Sequence, residues 1–325
     1  MKIFVTGATG FLGKYILEEL AASGYEVVAF GRNATVGKQL ISEKVTFIQG
    51  DFTNLSEIRA AAKGVDGIVH AGALSTVWGK WTDFYQINVV GTENILKVCE
   101  ENQVKRLVFI SSPSIYAGPK HQFDIREEEA PEKNELNNYI KSKLLAEAKI
   151  REKSQLNSVI IRPRGLFGIG DTSIIPRLLK VNKKIGMPLF DGGEQLVDVT
   201  CVENVAFAIR LGLESPQAVG NTYNITNGEP RPFKQILDQM LAEIGTPARY
   251  IRLNYSFMLL VASSLEASYD FFNSGKEPIF TKYTLFLLKY SQTLSIEKAK
   301  NELGYYPKLS LDEGIKKYAE DYRKN

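Results

Sequence analysis

Short apolar runs alternate with longer stretches of helical period through the first half of the chain. KIFVT, EVVAFG, VTFIQG, GIVHAG, RLVFISS and SVIIRP read as six strands. Their apolar character is nearly continuous, as expected of strands covered on both faces. Helical patterns fall between them at about 11–22, 81–102 and 136–156. Each parallel crossover needs a returning helix, so the pattern predicts an α/β fold with a doubly wound parallel sheet. After Pro163 the rhythm loosens. IIPRLLKVNKKI and ENVAFAIRLGL are helical, TYNIT is one more short strand, and from Pro230 the pattern is mainly helical. Two units are expected. Residues 1–163 with about 197–226 form the sheet domain, and about 164–196 with 227–325 form a smaller, mainly helical C-terminal lobe.

The most apolar late stretch, FMLLVASSLEASYDFF (257–272), is broken by Ser263, Ser264, Glu266 and Asp270. A membrane span needs about 20 mostly apolar residues, so a core or lid helix is expected here, with a lipid-facing helix as the alternative. MKIFVTGATG carries one charge, a β-prone run and then glycines, which is not the pattern of a secretory signal.

Composition narrows the function classes. Forty basic against 37 acidic residues give a net charge of +3, too weak a field to suggest nucleic acid as a partner. Cys99 and Cys201 lie far apart, in neither a metal-ligand spacing nor a disulfide framework, which fits a reducing cytoplasm. With only His70 and His121 besides, no metal site is expected. His70 reads as a packed strand residue and His121 as a solvated loop residue. The lysines of KVNKK (180–184) read as a solvated face.

The candidate chemistry begins at TGATGFLG (6–13), directly after the first strand and opening a helix. Gly7 permits a tight turn, Gly10 lets the backbone approach a pyrophosphate, and Gly13 lets helix and strand pack closely. The second strand ends in FGRN. No acid stands there to hold a ribose 2′-hydroxyl, and Arg32 is suited to pair with a 2′-phosphate or to stack on adenine, so NADP(H) is favoured over NAD(H). Two Tyr-x-x-x-Lys pairs occur. Tyr116 and Lys120 enclose Gly118 and Pro119 and cannot share a regular helix. Tyr139 and Lys143 lie one turn apart on one helical face. A free phenol, with a pKa of about 10, is a poor base at neutral pH, and a neighbouring ammonium lowers that value. Lys143 is therefore expected to tune Tyr139 as acid/base. Strand alternation allows only one of Ser111 and Ser112 to face the same cleft.

Taken together, these motifs resemble the extended short-chain dehydrogenase/reductase superfamily along nearly the whole chain. TGATGFLG, the Gly-Asp at 50–51, HAGA (70–73), INVVGT (87–92), SSPSIY (111–116), YIKSK (139–143) and RPRGLFGIGD (162–171) follow its order and spacing. The resemblance implies a Rossmann fold and a catalytic Ser112, Tyr139 and Lys143, with Ser112 chosen over Ser111 by family spacing. It implies cofactor contacts from Gly7, Thr9, Gly10, Phe11, Leu12 and Gly13. Further contacts come from Arg32, Asp51, Phe52, Ala71, Gly72, Ala73, Asn88, Ser111, Tyr139, Lys143 and Pro163. Ser75, Trp78, Ser114 and Arg177 are its candidate substrate contacts. It also implies a homodimer formed by the helices at about 81–102 and 136–156.

Two branches compete. Nucleotide-sugar epimerases and dehydratases carry an Arg-Asp in the segment matching QLVDVTCVENVA (195–206). Here Val197 replaces the arginine, and Asn204 stands at a usual Asp. A valine cannot make the charged, bidentate contact to a phosphate. Arg177 or Arg231 could compensate. SSPSIY, TVWGKW (76–81), IIPRLL (174–179) and NGEPRPF (227–233) are instead similar to 3β-hydroxysteroid dehydrogenases and β-keto-acid reductases. That branch implies an NAD(P)-dependent oxidoreductase acting on a secondary alcohol or ketone of an apolar, steroid-like or long-chain keto substrate. A non-catalytic NAD(P)-binding sensor is the third reading. Such proteins commonly lose the Tyr/Lys pair, which this chain keeps.

Overall fold

The structure is a computed structural model that describes residues 1–272 and 277–324. Its centre is a seven-stranded sheet of β1 (Lys2–Thr6), β2 (Glu26–Gly31), β3 (Val45–Gln49), β4 (Gly67–His70), β5 (Arg106–Ile110), β6 (Ser158–Pro163) and β7 (Thr222–Ile225). The order is β7-β6-β5-β4-β1-β2-β3, and every pairing is parallel. The chain winds outward in one direction from β1, then crosses back to β4 and winds the other way. The reversal opens a crevice at the C-terminal ends of β1 and β4, where Thr6 and His70 are in register.

Both faces of the sheet are covered. On one face the helix α1 (Phe11–Ala22) and the helix Val202–Glu214 bury Ile16, Leu20, Val205 and Ile209 against Val5, Val69 and Val108. On the other, the helices Leu55–Ala61, Gly91–Glu101 and Asn138–Arg151 bury Ile58, Ile95, Cys99, Ala146 and Ile150 against Phe4, Phe30 and Phe109.

Three elements differ from the sequence expectation. The helix expected at 81–102 is a composite: α-helical at Trp81–Phe84, π-helical at Tyr85–Val90, and α-helical again at Gly91–Glu101. The wide turn carries Asn88, whose side chain is claimed by tertiary partners described below. The helix expected at 136–156 spans Asn138–Arg151. Asn137 caps it by accepting from the Ile140 N–H at 2.8 Å. Its end falls where 152–155 offers no apolar side chain to bury, and Leu156 packs on the core from the turn that follows.

The third difference lies outside the main sheet. Gln122–Ile125, Leu196–Val197, Arg231–Pro232 and Gln292–Leu294 form a second, four-stranded sheet. No periodicity marks strands of two to four residues drawn from four distant segments. The stretch expected as a core or lid helix is the helix Tyr255–Phe271, in which only Met258 and Ala262 are buried. Phe257, Leu260 and Phe271 are 62%, 65% and 83% exposed, so it is a surface helix and not a core one. Among the described residues no helix is long and apolar enough to cross a membrane.

Candidate active site

The glycine turn follows from close approach. Gly7 has φ +69°, and a Cβ on it would stand 2.7 Å from the backbone N of Gly72. A Cβ on Gly13 would fall 2.2 Å from the Gly7 carbonyl oxygen. Gly10 is the N-cap of α1, makes no side-chain cap and is followed by no acid in the first turn. Its own N–H closes the turn on the Gly7 carbonyl at 2.9 Å. The helix thus offers unfilled N–H donors and the positive end of its dipole at an exposed glycine, which fits the pyrophosphate of a dinucleotide.

The other expected cofactor residues line the same edge of the sheet. Thr9 packs over Gly31 at the end of β2, and Phe11 and Leu12 lie partly buried in the first turn of α1. Tyr15 ties α1 to the later glycine loop by donating to the Ile169 carbonyl at 2.8 Å. Asp51 folds back on Thr53, accepting from its N–H and hydroxyl at 2.9 Å each. Arg32 is 71% exposed, with its guanidinium 3.8 Å from the Asp51 carboxylate. Phe52 fills the space left by Gly72 and Gly91, and Ala71 and Ala73 follow β4 into the crevice. Asn88 is buried and clamps the loop that follows. It accepts from the Leu74 N–H at 2.7 Å, and its amide donates to the Leu74 carbonyl at 3.0 Å and to the Ser142 hydroxyl at 2.9 Å.

The catalytic candidates converge one strand further along. Ser111 and Ser112 separate as strand alternation requires. Ser111 donates to Glu147 at 2.5 Å inside the core, whereas Ser112 is partly exposed at the sheet's end. Ser112 neighbours the Tyr139 phenol and acts to lower its pKa, and the Ser112 hydroxyl lies 2.8 Å from the Ser114 hydroxyl. Tyr139 and Lys143 sit on the first turns of the helix Asn138–Arg151, and Pro163 closes β6 beside them.

The electrostatics correct one expectation. Burial pushes the Tyr139 phenol up to about 12, only partly offset by Ser112, and Tyr283 adds to the rise. Lys143 does not lower it. Its ammonium donates to the Ile110 carbonyl at 2.6 Å and lies 4.1 Å from the centre of the Phe109 ring. Burial draws Lys143 itself down to about 7, with Glu147 acting against the fall. One turn gives proximity in sequence, but it does not choose which partner a four-carbon stem reaches.

Several participants were missed. Glu147 and Arg162 form a fully buried bidentate pair at 2.6 and 2.9 Å, with Arg151 a further 2.6 Å from Glu147. The Lys143, Glu147, Arg151 ladder at i, i+4 spacing was the available signal. Tyr283 and Arg164 left none. Burial raises the Tyr283 pKa, and Arg164 and Ser114 act against the rise. His70 is structural. It bonds the hydroxyls of Thr6 at 2.7 Å and Thr92 at 3.2 Å, and burial pushes its pKa down to about 3. His121 is exposed but accepts from the Ser291 N–H at 3.1 Å.

Of the substrate candidates, Ser75 and Trp78 lie on the loop after β4, where Trp78 meets Tyr269 edge to face at 6.4 Å. The surface helix Tyr255–Phe271 therefore overhangs that loop. Ser114 is buried beside Ser112, and Arg177 is exposed and paired with Glu277. Val197 is a core residue, and Asn204 is fully buried, bonding Asn227 and the backbone around Leu309. Among the described residues no three of His, Cys, Asp and Glu are grouped to hold a metal.

Comparison with known proteins gives this geometry relatives. The model of the NAD-dependent epimerase/dehydratase family matches residues 3–226. A 2-alkyl-3-oxoalkanoate reductase of Stenotrophomonas maltophilia is 31% identical, over 98% of each chain. The decarboxylating sterol-4-alpha-carboxylate 3-dehydrogenase of Mus musculus is 29% identical, over 99% of this chain and 91% of its own. The solved structure of MoeE5 in complex with UDP-glucose and NAD superposes with a TM-score of 0.78 at 23% identity. It covers 100% of this chain and 99% of that one, a likeness of fold.

Proposed function

The chain belongs to the NAD-dependent epimerase/dehydratase family, as an oxidoreductase of the extended short-chain dehydrogenase/reductase superfamily, and on that premise we propose its reaction. It moves a hydride between NADP(H) and a secondary alcohol or ketone on an apolar body, with Tyr139 as the acid/base. The observation that carries this reading is the meeting of Ser112 and Tyr139 at the crevice edge of the sheet, with Lys143 one turn on. The names of the two relatives, a ketone reductase and a sterol dehydrogenase, support the substrate class.

When bound, NADP(H) supplies or receives the hydride. Tyr139, protonated far past neutral pH, gives its phenolic proton to the carbonyl oxygen in the reductive direction. Ser112 donates to the same oxygen and stabilises its developing charge. Support for NADP(H) is Arg32 on the lip of the crevice and the lack of an acid at the end of β2. The buried thiols of Cys99 and Cys201 support a cytoplasmic setting.

A nucleotide-sugar substrate fits less well. Arg231 is engaged by Glu229 and Asp312, and Arg177 by Glu277, so both arginines that could replace the missing phosphate contact are already paired. The test is NADPH oxidation with long-chain and steroid ketones beside calorimetric titration of UDP-glucose. Turnover with the ketones and no binding of the sugar nucleotide is expected. Tyr139→Phe should then lower kcat by about 10²–10⁴-fold and leave NADPH affinity within a few-fold. Unchanged turnover in that variant sinks the assignment.

A further inference from the structure

The helix Asn138–Arg151 grips the end of β5 at consecutive residues. The Lys143 ammonium donates to the Ile110 carbonyl at 2.6 Å, and the Ser111 hydroxyl donates to the Glu147 carboxylate at 2.5 Å. The next residue, Ser112, neighbours the Tyr139 phenol. Tyr139, Lys143 and Glu147 stand one turn apart along one face of the helix. The strand end and the helix therefore meet rung by rung, and Glu147 holds the middle residue of the three.

Glu147 is fully buried and is itself fixed from the sheet. Arg162 on β6 closes the bidentate pair with it at 2.6 and 2.9 Å. The same guanidinium donates to the Tyr116 hydroxyl, which donates to Asn224 on β7 at 3.0 Å. A carboxylate anchored in this way cannot shift without breaking several directional bonds. Such a pair is a weak source of stability, because well-packed apolar residues of equal volume are often as stabilising or more so. What apolar contacts do not supply is register: packing tolerates a slide that a hydrogen bond does not. Glu147 also acts against the fall in the Lys143 pKa, so its charge reaches a second group of the site.

We propose that Glu147 is a positioning residue for hydride transfer: through Ser111 it fixes the end of β5 against the helix, and so sets where Ser112 stands relative to Tyr139 and where the Lys143 ammonium is held. This rests on the hydride-transfer reading above and adds a residue to that same site. Fully buried, Glu147 acts through Ser111 and Lys143 and not by contact with the substrate.

The test is single-turnover reduction of a long-chain ketone by NADPH, read beside amide hydrogen exchange over residues 110–116 of the ligand-free chain. Ser111→Ala cuts the link to the strand and leaves the Glu147–Arg162 pair in place. It should slow hydride transfer by about 10–100-fold while NADPH and ketone affinities stay within a few-fold. Exchange over 110–116 should rise by about 10-fold. Ser111→Thr, which keeps the hydroxyl, should recover most of both. Arg151→Gln, which removes a half-exposed partner of Glu147 but not the link, should keep the wild-type rate. In a double-mutant cycle Ser111→Ala should add little to Glu147→Gln, because both act on one bond. The proposal is overturned if Ser111→Ala keeps the wild-type rate, if only the affinities fall, if the two variants multiply, or if exchange over 110–116 is unchanged. Should Glu147→Gln not fold, failure of Ser111→Thr to recover the rate overturns it equally. Exchange is read without substrate. Raised exchange in Ser111→Ala with no reduction of any ketone by the wild type therefore refutes the reaction and not the link, whereas raised exchange with an undiminished rate refutes the positioning role alone.

Discussion

Lys143 illustrates how much burial decides about a single side chain. Folded, its ammonium titrates near pH 7, whereas an unfolded lysine keeps its proton to about pH 10.4. Between those values the unfolded chain binds more protons, so stability rises with pH across the window and is flat below it. Against a Lys143→Met baseline, the unfolding free energy of the wild-type chain is expected to climb between pH 7 and 10 in denaturant titrations. A constant difference would mean the folded lysine keeps its charge. Tyr139 and Lys143 were recognisable as a pair from their spacing and from the glycine and proline that exclude Tyr116 and Lys120. The direction of the phenol's shift was not, because burial and the charge of neighbours such as Tyr283 are set by distant segments.

The turn from β1 into α1 was the most legible part of the chain. Three glycines at fixed spacing after an apolar run state a backbone requirement, and the structure supplies its cause in the contacts a Cβ would make. Gly13→Ala is expected to cost about 1–3 kcal/mol of stability, because the added methyl meets the Gly7 carbonyl and the backbone of Ala8. NADPH affinity should fall with it, since the same turn is the candidate pyrophosphate cradle. Thermal unfolding and NADPH fluorescence titration check both, and an unchanged affinity would place the cofactor elsewhere. The π-helical turn at Tyr85–Val90 had no such signal. Its cause is the demand of the Leu74 backbone and Ser142 on Asn88, partners that only the folded chain brings together.

The assembled chain raises the question of its partner. The helices Gly91–Glu101 and Asn138–Arg151 lie side by side, bridged by Lys149–Glu93 at 3.8 Å and extended by Lys153–Glu100 at 2.7 Å. Tyr85, 41% exposed, leads into the same face. We propose that two copies pair here as a four-helix bundle. Equilibrium sedimentation should return the mass of two chains at micromolar concentration, and a monomer throughout the range would refute the pairing.

The sequence by itself determined the parallel sheet, the glycine turn and the Tyr139, Lys143 candidate pair, to which family resemblance added Ser112. Each is written in local spacing: apolar runs for buried strands, small residues where backbones touch, one helical turn between phenol and ammonium. Only the tertiary structure decided the second sheet, the path of Lys143 to the Ile110 carbonyl and the partner of Arg164. These depend on which distant segments meet, and on how far a charge is removed from water when they do. Arg162 and Arg164 look alike in RPRG. One of them found Glu147 in the folded core, and the other is buried against the side chain of Gln292.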